Sequence, residues 1–220
     1  MANFDLDLAH LLASGLVLGS LLLLYQTRVL GLLRVFAVHA LVLAMAVAWQ
    51  AQIQNAPHLY VTAALAVVLK VMIIPLALFQ IVKRLNIQRE VETVGGIGPT
   101  MLAGMGLVAL SIVLMLRVTA AAEHLAREDL AFALAVILLG LLMMVTRRNA
   151  ISQVVGFMSI ENGLILAAAG AQGMPLVVEI SIAFSVLVAL IVVGVFLFRI
   201  RDRFDTVDVE ALNRFSGERT

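Results

Sequence analysis

Three ionisable side chains, His39, Lys70 and Glu161, stand inside long apolar stretches of this chain, far from any polar segment. A charge at bilayer depth costs several kcal/mol unless it is paired, hydrated or neutralised, so such residues usually mark a route for protons or ions. A conducting role is the preferred reading for Lys70 and Glu161, with a structural ion pair as the alternative. For His39 the order is reversed, because a neutral imidazole needs only one interhelical hydrogen bond to be at rest in lipid. Glu179 lies about one helical turn inside the last apolar stretch, where it either reaches the interface or takes part in proton exit, with Gln172 and Pro175 beside it.

The surroundings of these residues sharpen the reading. Pro75 follows Lys70 by five positions and has no N–H to offer the carbonyl of Val71, which predicts a free acceptor and a kink one turn from the ammonium. Around Glu161, Ser152, Gly156, Ser159 and Gly163 fall on one helical face, a small-residue stripe suited to close helix packing. Glu161 projects from the other side of that helix, so the helix is expected to be enclosed on two faces. Asn162 and Gln153 add hydrogen-bonding capacity between them.

Other chemistries are excluded or weak. Cysteine is absent, which removes disulfides, thiolate-ligated clusters and Cys-attached haem. His10 and His58 sit toward the outer ends of two stretches, where a bis-His haem is conceivable, but interfacial histidines are satisfied without one. Gly95-Gly96-Ile97-Gly98-Pro99 fits a turn with proline at a helix start and does not complete a dinucleotide fingerprint. Neither a Ser/His/Asp set nor an HExxH motif occurs. No cofactor or metal is expected in this chain, and no nucleic-acid surface.

The elements that hold these residues follow from composition. Of 220 residues, 63% are hydrophobic and 13% charged, against about 25% charged in an average soluble domain. The apolar stretches have the length, roughly 20 residues, needed to cross a hydrocarbon core about 30 Å thick. The fold class expected is therefore all-α: a polytopic membrane bundle of about seven transmembrane helices, at 6–25, 29–50, 59–81, 99–116, 129–146, 151–171 and 175–199. Residues 1–200 form one transmembrane domain and 201–220 a cytoplasmic tail. The two longer polar connections, Lys83 to Gly98 and Arg117 to Glu128, each have room for a short interfacial helix. The acidic N-terminus lacks a basic n-region and a cleavage site, so the first helix is expected to be retained.

Basic residues set the orientation. Twelve of the fifteen Lys and Arg residues, from Arg28 and Arg34 through Lys83, Arg147 and Arg148 to the tail, fall on one side of the drawn spans, and only Arg117 and Arg127 on the other. With positive charge retained on the cytoplasmic side, the N-terminus is outside and the C-terminus inside.

The stretch Arg147-Arg148-Asn149-Ala150-Ile151-Ser152-Gln153-Val154-Val155-Gly156-Phe157-Met158-Ser159-Ile160-Glu161-Asn162-Gly163-Leu164 resembles the K-type (chain 4L) subunit of respiratory complex I and the C-type subunit of multisubunit Na⁺/H⁺ antiporters. With four further spans ahead of a K-like C-terminal half that includes residues 151–200, the chain resembles the membrane component E of the hydrogenase-4 and formate hydrogenlyase type. Val67-Val68-Leu69-Lys70-Val71-Met72-Ile73-Ile74-Pro75-Leu76 and Met174-Pro175-Leu176-Val177-Val178-Glu179 are similar to that family as well. There are two departures. Met158 occupies the place of the K-type glutamate, three residues before Glu161, and the second K-type acid falls near Phe184 or Ser185, neither of which titrates in that role.

The resemblance implies a subunit, catalytically inert alone, of an energy-converting hydrogenase-like oxidoreductase complex in the cell inner membrane. Its implied partners are antiporter-like subunits, a quinone-site-type anchor subunit and, through the complex, peripheral iron–sulfur and nickel-site-type subunits. Glu161, Lys70, Glu179 and His39 are its candidate path for protons or Na⁺. The alternatives are a subunit of a cation/proton antiporter assembly and a passive scaffold. An autonomous transporter is disfavoured, because paired broken helices and internal repeats are lacking. The topology makes a direct prediction: a reporter fused after Gly217 lies in the cytoplasm and one inserted within 120–123 lies outside, and finding both on one side overturns the seven-span reading.

Overall fold

Backbone N–H and C=O groups in lipid must be satisfied within the chain, which leaves helix as the state for each apolar stretch. The computed structural model, which describes residues 2–85, 93–118, 124–170, 187, 188 and 191, is built accordingly. Helix α1 (Ala2–Tyr25) is followed by α2 (Val29–Gln54), α3 (Pro57–Ala66), a π-helical stretch (Val67–Ile73), α4 (Ile74–Leu85), α5 (Ile97–Val118), α6 (His124–Thr146) and α7 (Ala150–Gly170). Among the described residues six helices are long and apolar enough to cross a membrane, with α3, the π-helical stretch and α4 forming one of them. The chain is a multi-pass membrane helix bundle. The seventh expected span, Glu179, Phe184, Ser185 and the tail lie outside the described residues.

The turns follow from local chemistry. Asn55 takes a left-handed conformation (φ 51°) after α2, and Pro57 then opens α3 at its first turn, where a missing N–H costs nothing. Gly95 and Gly96 adopt positive φ in the turn before α5, as expected for that glycine pair. The break in regular helix bonding expected at Pro75 takes the form of a π-helix, Val67–Ile73, after which the Ile74 N–H reaches back five residues to the Leu69 carbonyl. The wider turn relieves the clash between a proline ring and the carbonyl four residues earlier, and Pro75 has no N–H to continue the series.

Helices α2 and α7 lie side by side, the end of α2 meeting the end of α7 where Gln54 donates to the Ala169 carbonyl. Helix α2 contacts α1, α3, the π-helical stretch, α4 and α7, whereas α7 packs along the length of α6. Helix α5 lies against α6 and α1 and is the most exposed of the six spans; α7 is the most buried. The enclosure expected for the helix carrying Glu161 is thus present. Its small-residue face meets α6 so closely that a Cβ at Gly163 would stand 2.9 Å from the Ala133 carbonyl oxygen. A Cβ at Gly140 on α6 would stand 2.8 Å from the Gly156 carbonyl oxygen. Ser152 and Ser159 are buried on the same helix. Contacts of this kind hold helices together in lipid, where apolar burial against a neighbour gains little over burial in acyl chains.

Because the opposing atoms at Gly140 are backbone, Gly140→Ala forces α6 and α7 apart, while Gly106→Ala on α5 points into open space. Overpacking of this kind costs about 1–3 kcal/mol. Thermal unfolding of the purified protein in detergent should drop by several degrees for Gly140→Ala and stay unchanged for Gly106→Ala; equal midpoints for the two contradict this packing.

Candidate functional site

Lys70, in the π-helical stretch, turns inward and is 1% exposed, while its neighbours Val68 and Met72 face outward. Its Nζ lies 3.3 Å from Glu161 Oε2 on α7, which is 3% exposed. The two mid-membrane charges that the sequence places at similar depth are therefore an ion pair. Such a pair is worth its desolvation only when further hydrogen bonds complete it, and Lys70 Nζ also donates to Asn162 Oδ1 at 2.7 Å. Asn162, fully buried, is the residue whose part the sequence reading understates.

The direction of the next bonds follows from what each group can do. An ammonium only donates, so Asn162 presents its carbonyl to Lys70 and its amide nitrogen to His39. Asn162 Nδ2 then donates to His39 Nδ1 at 3.0 Å, which fixes the neutral ring with its proton on Nε2. Nε2 in turn lies 3.0 Å from Ser20 Oγ on α1, and Ser20 Oγ lies 3.5 Å from Ser159 Oγ on α7. The ring thus bonds to two other helices, α1 through Ser20 and α7 through Asn162. The ring comes so near α1 that a Cβ at Gly19 would stand 2.8 Å from His39 Cδ2. Glu161, Lys70, Asn162, His39, Ser20 and Ser159 thus form a continuous polar string across α1, α2, the π-helical stretch and α7.

The string is walled by apolar residues. Leu16 on α1, Phe36 and Leu43 on α2 and Met158 on α7 are fully buried in the core of the same helices. Chemically, the arrangement can hold or hand on a proton between the carboxylate and the amine, which are in contact, with the imidazole joined to the amine through the Asn162 amide. Among the described residues no group of three or more His, Cys, Asp or Glu side chains could hold a metal ion. His10 and His58 lie on different helices and join neither this string nor such a group.

Two further polar clusters close the ends of the bundle. At the base-rich end Arg147 is buried. One guanidinium nitrogen donates to Thr93 Oγ1 at 2.6 Å, and the other to the Leu24 and Gln26 carbonyls at the end of α1. Those carbonyls have no partner within their own helix, so a cation there is doubly favourable. The residue read from sequence as a marker of orientation is also the clamp joining α1, α6 and the turn before α5. Gln153 donates to the Arg147 carbonyl at 2.9 Å and the Asn149 side chain accepts from the Ile151 N–H at 2.9 Å, opening α7. At the opposite end Asp129 of α6 is 3% exposed and accepts from Gln50 Nε2 of α2 at 2.9 Å.

Comparison with known proteins identifies relatives of this chain. The chain is 32% identical over 189 residues to hydrogenase-4 component E of Escherichia coli K12, covering 83% of this chain and 85% of that protein. The same values hold for hydrogenase-4 component E of Shigella flexneri. It is 29% identical to an uncharacterised protein of Mycobacterium tuberculosis over 96% of both chains. No family profile matches the chain, and no solved structure matches it. The long, high-coverage match shows that the chain belongs to the hydrogenase-4 component E family.

Proposed function

We propose that this chain is a membrane subunit of an energy-converting, hydrogenase-like complex, and that Lys70 and Glu161 lie on its path for protons or Na⁺. Family membership supports the first part. The observation that carries the second is the buried Lys70–Glu161 pair, 3.3 Å apart, linked onward through Asn162 to His39. A paired ammonium and carboxylate can each lose or gain one proton without stranding a lone charge in lipid, provided both change together. Glu161 is the principal element of the path and Lys70 its counter-charge. His39 extends it, and Glu179 is its proposed element in the last span.

In this reading the chain carries no cofactor and performs no redox chemistry. Metal-cluster chemistry belongs to peripheral iron–sulfur and nickel-site-type subunits, and the membrane neighbours are antiporter-like subunits and a quinone-site-type anchor subunit. The membrane is the cell inner membrane, with the N-terminus outside. The likeness of residues 151–200 to K-type complex I and C-type antiporter subunits supports an ion-coupling role. The completeness of the Lys70 contacts favours one rival, a passive scaffold in which the pair only holds helices together.

Glu161→Gln separates the two readings, because glutamine keeps the shape and can still accept from Lys70 while losing titration. In purified complex reconstituted into proteoliposomes, ΔpH or Δψ generated per turnover should fall roughly tenfold or more, as for loss of an essential proton-transfer group, with assembly intact. Normal coupling by the assembled variant would put the scaffold reading first.

A further inference from the structure

A second buried carboxylate, Asp129, lies on α6, the helix packed along the one that carries Glu161. Asp129 is 3% exposed, yet sits within the first two turns of α6 at the base-poor end of the bundle. Gln50 Nε2 donates to its Oδ2 at 2.9 Å. Gln54 Nε2 lies 3.0 Å from Gln50 Oε1 and 2.6 Å from the Ala169 carbonyl of α7. Two neutral amides on α2 thus tie the carboxylate on α6 to the end of α7. The fit is close: a Cβ at Gly170 would stand 2.9 Å from Asp129 Cβ. Other ionisable residues toward this end, among the described residues, are Asp5, Asp7, His10, His58, Tyr60, Arg117, His124, Arg127 and Glu128.

Helical periodicity relates this carboxylate to the central string. Gln50 follows His39 by eleven residues, which returns to within about 20° of the same face of α2, roughly 16 Å further along. Between them on that face lie Leu43, Ala46 and Val47, all buried. On α7, Ile165 and Leu166 fill the matching interval between Asn162 and Ala169. Two polar stations therefore share one helix face, separated by about three turns of dry packing that a proton cannot cross without transient water.

We propose that Asp129 is the protonatable residue at the base-poor end of the ion path, with the Leu43–Val47 layer as the barrier between it and Glu161. The Asp129 carboxylate takes up one proton from water at that end and releases it, either to the same water or inward along water admitted when the layer opens. No other reactant is consumed. Gln50 and Gln54 are positioning residues that hold the carboxylate over the layer.

This inference rests on the ion-path reading of Lys70 and Glu161, so its test carries Glu161→Gln in parallel. Asp129→Asn, Asp129→Glu and Glu161→Gln complexes are purified, checked for assembly, and assayed in proteoliposomes for redox turnover and for ΔpH and Δψ. The expected result is that Asp129→Asn assembles and turns over but loses most of the gradient per turnover, as Glu161→Gln does, with a substantial part regained in Asp129→Glu. Normal coupling by Asp129→Asn beside an uncoupled Glu161→Gln overturns the role of Asp129 and leaves the central path standing. Normal coupling by both removes the ion-path reading and this inference with it. Failure of Asp129→Asn to assemble also overturns the inference, since a residue needed only for its proton tolerates the isosteric amide.

Discussion

One ammonium facing one carboxylate in a medium that solvates neither is the constraint on which the rest of this bundle depends. The Lys70–Glu161 pair can exist only if lipid is kept away from both partners and the remaining hydrogen-bonding capacity is met by protein. This accounts for α7, the helix carrying the acid, being the most buried span. It also accounts for the fully buried Asn162 beside the acid, whose amide oxygen completes the ammonium and whose amide nitrogen engages His39. Close packing of α6 on α7 across Gly140, Gly156 and Gly163 then closes the side of α7 away from the pair. The Arg147 clamp at one end and the Asp129 amide cluster at the other tie together the helices that enclose it.

The same constraint shapes what the site can do. A carboxylate and an ammonium in contact are neutral as a pair, and so is the pair of a carboxylic acid and an amine. Moving one proton from nitrogen to oxygen therefore changes little in net charge, whereas adding or removing a single proton leaves one uncompensated charge in an apolar surround. On the proposed function, a partner subunit that brings or withdraws a charge nearby drives that step. The π-helical stretch around Lys70 adds a second lever, because short π segments interrupt regular helix bonding and commonly fall at functional positions.

Much of this was legible in the sequence, for particular reasons. Span positions follow from run length, and the depth of His39, Lys70 and Glu161 follows from the spans. The stripe Ser152, Gly156, Ser159 and Gly163 is a one-dimensional signal of periodicity, and the glycines in it do face α6. What periodicity does not contain is the order of helices around one another, so the meeting of Lys70 with Glu161 and of Asn162 with His39 could not be read. Ser20 carries no mark in sequence that separates it from any serine in a membrane helix. Asp129 looks interfacial because it opens an apolar run, and Arg147 looks like an orientation signal because it follows one; burial is what changes both. Pro75 signalled a break in regular bonding, but whether helix kinks or widens depends on the packing that buries Lys70.

The claim that the buried pair changes protonation during work is accessible to infrared difference spectroscopy on the intact complex, comparing resting and turning-over samples. A protonated-carboxyl C=O band should appear or disappear on turnover, and the Glu161→Gln complex should lack it. A difference spectrum without any carboxyl band that Glu161→Gln removes would mean that Glu161 keeps one protonation state throughout, and would contradict a coupling role for the pair.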